Sequence, residues 1–238
     1  MQGKSKLSTG FIGRNNLESH NVIPQKLHQV WLGHNHIPEE FVKFTSNWRK
    51  LHPDWQYKLW TEETISNKPQ IKNLVDKCEA FSSKSNVVRL YAVYLEGGVY
   101  ADMDIDWFRN FDELLNVNSF ASPETNKTNK ELGLKDFHIN YSKLFCNAIF
   151  GAVTKSEWVN WQIKQLSEMV SEKPPWGPTL MTNAVEAFKN TNDFQEYPST
   201  YFYPYFWNEE YTKSEDFKNK NKESYVVHHW ESSWDQKK

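Results

Sequence analysis

The sequence predicts an α/β fold, an open and mostly parallel sheet flanked by helices, and two observations carry that prediction. The stretch SKSNVVRLYAVYLEGG (83–98) reads as an amphipathic helix that stops at paired glycines and passes at once into the apolar strand start VYAD. Strand-like and helix-like runs alternate along the rest of the chain with short links, with no internal repeat and no low-complexity linker. The length of 238 residues suits one large domain better than two. Residues 1–22 are polar, lack the apolar core of a signal peptide and read as a mobile leader; residues 23–238 read as the domain.

In chain order, KLHQVWL (26–32) follows Pro24 and predicts the first strand. Phe41, Phe44, Trp48 and Leu51 fall on one face of a helix that Pro38 opens and Pro53 follows. WQYKLW (55–60) alternates aromatic and polar residues, a strand pattern. A weaker helical pattern spans Ile71 to Phe81. In the helix from about Ser83 to Glu96, Val87, Leu90, Tyr91, Tyr94 and Leu95 share a face, and Gly97 and Gly98 offer a left-handed cap. FDELL (111–115) predicts a short helix capped by Asn110, and FCNAIFGAV (145–153) a buried strand. A helix from about Lys155 to Glu172 ends before the KPPWGP turn, TLMTNAVEAF reads as a helix, and STYFYP and SYVVHHW read as strands.

The carboxylates at the end of VYADMDID stand where a buried strand would ordinarily continue with apolar residues. Asp102 and Asp104 are two apart, so they share a face on a strand and can converge on one cation just beyond it. Hard divalent ions such as Mn2+ or Mg2+ take oxygen ligands and leave room for phosphate oxygens. In open α/β sheets, ligands gather at the carboxyl ends of strands. Position, ligand type and spacing therefore point to a metal site that binds a diphosphate. An isolated Asp-x-Asp is also a common solvated turn, and Asp106 is read as such a turn residue.

The run SNVVRLYAVYLEGGVYADMDI resembles the core of the sugar-transferring Asp-x-Asp family, glycosyltransferase family 32, to which the Och1-like mannosyltransferases belong and the clostridial glucosylating toxins are distantly similar. That family's pattern is a Ser-Asp-x-x-Arg helix, Gly-Gly-x-Tyr, then Asp-x-Asp. IPQKLHQVWLG, HPDWQYKLWTEE, GPTLMT and YVVHHWESSW resemble its further segments in the same order, so the likeness covers most of Ile23 to Trp234. Several separated motifs in order are far more specific than any one of them.

The resemblance implies a GT-A-type, Rossmann-like single domain and a retaining, metal-dependent transfer from a nucleotide-diphosphate sugar. Asp102 would lie near the donor's ribose and sugar, Asp104 and His228 would hold the metal, and Arg89 would sit on the donor side of its helix. Trp31 would pack near the base, with Gln29, Asn86, Trp230 and Trp234 completing the donor site. Asn147 and Gly177 are weaker candidates for the acceptor side. Asn86 departs from the family pattern, which has aspartate there; the amide keeps some hydrogen bonding and loses the charge.

The residue types support these roles on their own terms. Arg89 offers a planar fork of donors suited to phosphate or sugar oxygens, with a surface ion pair as the plainer reading. Trp31 offers a flat face for a base, and core packing explains it as readily. A histidine in an apolar strand is usually a satisfied core residue; His228 becomes a ligand through the resemblance.

Net charge is −2 and the isoelectric point about 6.5, so no field draws a polyanion and nucleic acid is excluded as a partner. KNKNK (218–222) reads as a solvated loop. Two cysteines, Cys78 and Cys146, fit a reducing compartment as ordinary thiols, and no apolar run is long enough to span a bilayer. The expected location is cytoplasmic, with at most peripheral contact at the inner face of the membrane. The expected acceptor is a glycan, a lipid-linked oligosaccharide or a protein hydroxyl, with bacterial surface polysaccharide synthesis as the setting. Two rival functions follow from the same residues. A nucleotide-sugar phosphohydrolase would need a general base to activate water, and no such cluster stands out. A non-catalytic carbohydrate-binding module would use the aromatic residues and ignore metal and nucleotide.

Overall fold

The computed structural model describes residues 22–33, 35–125, 143–169, 177–206 and 221–231. The expected leader lies outside them except for Val22. Strands β1 (Lys26–Val30), β2 (Gln56–Trp60), β3 (Gly98–Ala101), β5 (Ser119–Ala121), β6 (Ile149–Ala152) and β7 (Gln195–Glu196) form one sheet in the order β2-β1-β3-β6-β5-β7. Neighbours β2, β1 and β3 are parallel, as are β5 and β7, and β6 runs against both β3 and β5. Five of the six strands thus point one way, which is the mostly parallel sheet the sequence predicts. A second, two-stranded antiparallel sheet pairs β4 (Ile105–Trp107) with β8 (Val226–His228).

Two apolar layers sandwich the main sheet, and side chains alternate between them with the period of two that strands impose. Val30, Tyr100, Phe150 and Ala121 face one layer, with the helices α3 (Pro69–Val75), α4 (Phe81–Glu96), α5 (Glu157–Met169) and α6 (Gly177–Phe188). Leu27, Val99, Ala101, Ile149 and Phe120 face the other, with Trp48 of α1 (Glu39–Leu51), Phe202 of α7 (Ser199–Phe202) and the β4–β8 pair. The α1 helix buries Phe41, Phe44 and Trp48 as its pattern predicts. The α4 helix is buried on more than the expected face, because Val88, Arg89, Ala92 and Val93 are buried as well as Val87 and Leu90.

Several local readings are corrected by the structure. The pattern over Ile71–Phe81 is two helices: α3 starts at Pro69, whose fixed φ suits a first helical position, and ends at Val75, and Phe81 opens α4. Ahead of α3 lies the short α2 (Glu62–Ser66), closed by a reciprocal cap between Thr61 and Thr64. STYFYP holds the helical turn α7, opened by Pro198 at φ −57°, which buries Phe202 rather than alternating like a strand. FDELL is a single 3-10 turn over Asp112–Leu114, and Asn110 Oδ1 accepts from the Asp112 N–H at 2.6 Å. The strand in FCNAIFGAV is confined to Ile149–Ala152. Gly177 and Pro178 open α6 instead of ending a turn, and the remainder of KPPWGP lies outside the described residues. Asp106 belongs to β4, where its carboxylate accepts from Asn47 Nδ2 and the Trp107 N–H. Gly97 has φ 63° and ψ 178°, an extended, essentially glycine-only conformation rather than the left-handed helical cap.

Candidate active site

The α4–β3 junction builds the site. Gly97 and Gly98 turn the chain directly from helix to strand, and a Cβ on Gly98 would lie 2.6 Å from the Lys26 carbonyl oxygen. Four residues of β3 then carry the chain under the sheet's centre, and Asp102 emerges at the strand's carboxyl end. Its N–H donates to the Ala148 carbonyl at 2.8 Å. Its carboxylate oxygen Oδ1 accepts from the Tyr100 hydroxyl at 2.5 Å and stands 3.3 Å from Arg89 Nη2. Arg89 is buried, and the same guanidinium donates from Nη1 to the Asn147 carbonyl at 2.7 Å and from Nη2 to Ser85 Oγ at 3.1 Å.

Asp104 is buried and joined to the β8 strand end. Its Oδ2 accepts from the Glu231 N–H at 2.9 Å and lies 3.3 Å from His228 Nε2, and its carbonyl accepts from the His229 N–H. The register that pairs Ile105 with His228 is what brings a residue from the far end of the chain onto the acidic turn. One ligand atom each from Asp102, Asp104 and His228 lies within 4.8 Å of the others. Burial opposes ionisation of Asp104, but His228 outweighs it and holds the carboxyl below the usual range. The same partnership overcomes burial at His228 and raises its imidazole well above its ordinary value. Burial raises the Asp102 carboxyl, with Arg89 pulling against it.

Two carboxylates and an imidazole form a donor set suited to a divalent ion that accepts both oxygen and nitrogen, as Mn2+ does. Buried His228 Nδ1 has no hydrogen-bond partner of ordinary geometry, and the Cys146 thiol adjoins the ring. The residues therefore fit a metal.

The other predicted site residues fall in different places. Trp31 is partly exposed just past β1, its Nε1 donating to the Asn35 carbonyl and its ring edge-on to Phe41. Gln29 is fully buried and sits behind the site: Nε2 donates to the Asp102 carbonyl at 3.2 Å, while Oε1 accepts from Thr45 and Tyr57. Trp230, at φ 56°, packs on His228 and Tyr203. Trp234 lies outside the described residues. Asn86, Asn147 and Gly177, expected on two sides of the reaction, meet in one place: Asn147 Nδ2 donates to Asn86 Oδ1 at 2.8 Å, directly over Gly177.

Tyr100, Ser85 and Glu124 were not singled out from the sequence. Tyr100 carried a signal, since it stands two residues before Asp102 on a strand and shares its face. Glu124 carried none. Its buried carboxyl is pushed up to about 7 by desolvation, against the pull of His228 and a hydrogen bond with Cys146.

The fold is of the GT-A type: a mostly parallel sheet with its acidic pair at the carboxyl end of a central strand. Residues 38–121 match the glycosyltransferase sugar-binding region containing a DXD motif. It is 34% identical over 99 residues to inositol phosphoceramide mannosyltransferase 3 of Schizosaccharomyces pombe, covering 40% of this chain and 28% of that protein. A mannosyl phosphorylinositol ceramide synthase of Saccharomyces cerevisiae is 29% identical over 161 residues, 64% of this chain and 41% of its own length. The chain thus spans less than half of either relative. Among solved structures, the PaToxG glycosyltransferase has a TM-score of 0.52 at 15% identity over 70% of each chain. An active-site mutant of LgtC has a TM-score of 0.50 at 9% identity over 87% of each. At those identities the likeness is one of fold.

Proposed function

We propose that the protein is a metal-dependent, retaining hexosyltransferase that moves a sugar from a nucleoside-diphosphate donor to a hydroxyl of a glycan, a lipid-linked sugar or a protein. The observation that carries this reading is the convergence of Asp102, Asp104 and His228 at the carboxyl end of β3. The relatives' names, mannosyltransferases acting on inositol phosphoceramide, favour a hexose donor and an acceptor hydroxyl on a lipid head group over the polysaccharide setting. No helix among the described residues is long and apolar enough to cross a membrane. We place the protein in the cytoplasm, meeting a lipid-linked acceptor peripherally.

A bound Mn2+ would neutralise charge on the leaving diphosphate. Asp102, Asp104 and His228 would hold it. Arg89 pairs with Asp102 and holds its carboxylate toward the donor sugar, and Trp31 offers its partly exposed ring to the base. The bond that breaks joins the sugar C1 to the diphosphate oxygen; the bond that forms joins C1 to the acceptor oxygen on the same face. The acceptor's proton passes to the departing phosphate oxygen, so no protein nucleophile is required.

A panel of nucleotide sugars, with and without Mn2+, tests the proposal. The expected result is Mn2+-dependent turnover of one hexose donor, with the anomeric configuration of the product, read by NMR, matching that of the donor. An inverted product would overturn the retaining assignment. Release of free sugar at a rate indifferent to any acceptor would favour hydrolysis. Sugar binding independent of metal and nucleotide would favour a binding module.

A further inference from the structure

The segment before β6 runs directly beneath Asp102. Consecutive carbonyls fix that residue twice: Ala148 O accepts from the Asp102 N–H at 2.8 Å, and Asn147 O accepts at 2.7 Å from the guanidinium that pairs with the Asp102 carboxylate. The segment is itself held from α6, where Thr182 Oγ1 accepts from the Phe145 N–H at 2.9 Å. The Asn147 side chain extends the arrangement in the other direction. Its Nδ2 donates to Asn86 Oδ1 on α4 at 2.8 Å. It lies against Gly177, where an added Cβ would fall 2.0 Å from Nδ2 and 2.7 Å from Cγ. Three elements therefore meet on one side chain: α4 through Asn86, the β6 approach through its own backbone, and the start of α6 through a residue with no side chain.

We propose that Asn147 is a positioning residue: by bridging Asn86 and Gly177 it fixes its own carbonyl, and through that carbonyl the Arg89 guanidinium and the Asp102 carboxylate. It is not an acceptor contact. The consequence for activity rests on the reading of Asp102 as a donor-site group, whereas the joint itself does not. Gly177 is part of the joint, because the atoms a Cβ would displace are those of the Asn147 amide.

The test reads Arg89 directly, in protein free of metal and donor. In 15N-labelled parent protein the Arg89 guanidinium, held by Asn147, Ser85 and Asp102, should give separate, slowly exchanging Nη resonances, assigned by their absence in Arg89→Lys. In Asn147→Ala and in Gly177→Ala these should merge. Asn147→Asp should retain them, because the Asn86 amide can turn and donate to the new carboxylate. Calorimetry with Mn2+ alone gives a second reading: affinity should fall about three- to tenfold in Asn147→Ala, the equivalent of one net hydrogen bond. Parent-like Arg89 resonances in both alanine variants would overturn the joint. So would an unchanged Mn2+ affinity accompanied by a raised acceptor KM, which would return Asn147 to the acceptor side. A parent that binds no Mn2+ and transfers no sugar would overturn the transferase reading, and the Arg89 resonances would still decide the joint.

Discussion

Arg89 Nη2 stands 3.3 Å from Asp102 Oδ1, an ion pair whose side chains are 8% and 22% exposed. The Tyr100 hydroxyl binds the same oxygen. These two contacts spare Oδ2, so Asp102 can be anchored on one side and serve a ligand on the other. A planar guanidinium suits this task because it reaches Asn147, Ser85 and Asp102 at once.

Arg89→Lys should therefore lose most of the activity while keeping the charge. An ammonium on a flexible stem can satisfy Asp102 or the Asn147 carbonyl, not the whole fork. A lost charge-assisted bond corresponds to about 1.5–3 kcal/mol, or roughly one to two decades in kcat. Steady-state kinetics on the active donor measure this. Unchanged kcat would mean that the charge alone suffices.

Asp104 is 5% exposed and bonded to Glu231 and His228, so its side chain is part of the packed structure as well as of the site. Asp104→Ala should abolish Mn2+ binding and also destabilise the fold by about 1–3 kcal/mol, because the Glu231 N–H and the His228 ring lose their partner. Asp104→Asn keeps an oxygen for the Glu231 N–H. It should lose Mn2+ binding with a clearly smaller fall in melting temperature. Paired calorimetry and thermal unfolding separate the two effects, and an Asn variant that binds Mn2+ as the parent does would remove Asp104 from the metal site.

The parts of this molecule legible in the sequence are those fixed by local rules. The α1 and α4 helices announce themselves by the spacing of Phe41, Phe44 and Trp48 and by the stop at Gly97. Asp102 and Asp104 stand out because a buried strand ends in charge. Short strands such as β4, β5 and β7 hold two or three residues each, too few for a period to show. Their existence depends on partners far along the chain, as Ile105 depends on His228. Gln29 is expected in the donor site, yet its side chain is taken up by Thr45, Tyr57 and the Asp102 carbonyl, which only the fold brings together. The Asn86–Asn147–Gly177 contact joins residues far apart in sequence, and no local pattern marks it.

His28 gives the fold a pH dependence. It is fully buried; Nδ1 accepts from Trp60 Nε1–H at 3.1 Å, and Nε2 donates to the Gly97 carbonyl at 2.8 Å. Only the neutral ring can make both bonds. Burial is the main cause that lowers its pKa from 6.5 to about 4. The unfolded chain therefore takes up the proton first as pH falls. Stability is fully present above pH 6.5 and is lost progressively down to about pH 4, by up to about 3 kcal/mol. His52 is lowered in the same sense, again mainly by burial. Urea unfolding between pH 7.5 and 4.5 should show this loss, and His28→Gln should flatten the part that His28 contributes. Equal slopes in the two proteins would contradict the assignment.

Asn86 is where the chain departs from the pattern it resembles, and the structure shows what an aspartate would meet there. Asn86 Oδ1 accepts from Asn147 Nδ2, and a carboxylate oxygen can accept the same bond with added charge assistance. The second oxygen would replace the NH2 group and could accept from a ribose or sugar hydroxyl. It would also stand three residues before Arg89 on α4, within reach of the guanidinium that now serves Asp102. Arg89 has five donors, so it can serve both carboxylates without leaving the Asn147 carbonyl. Asn86→Asp should accordingly raise turnover on a donor with hydroxyls at that position by about one to two decades, the value of one charge-assisted bond felt in the transition state. The melting temperature should change little, because the Asn147 bond survives. Kinetics across the donor panel decide the matter. A fall in turnover would mean that the amide's NH2 donates to an acceptor atom of the native donor. Identical kinetics on every donor would show that position 86 serves the Asn147 joint alone and does not reach the donor.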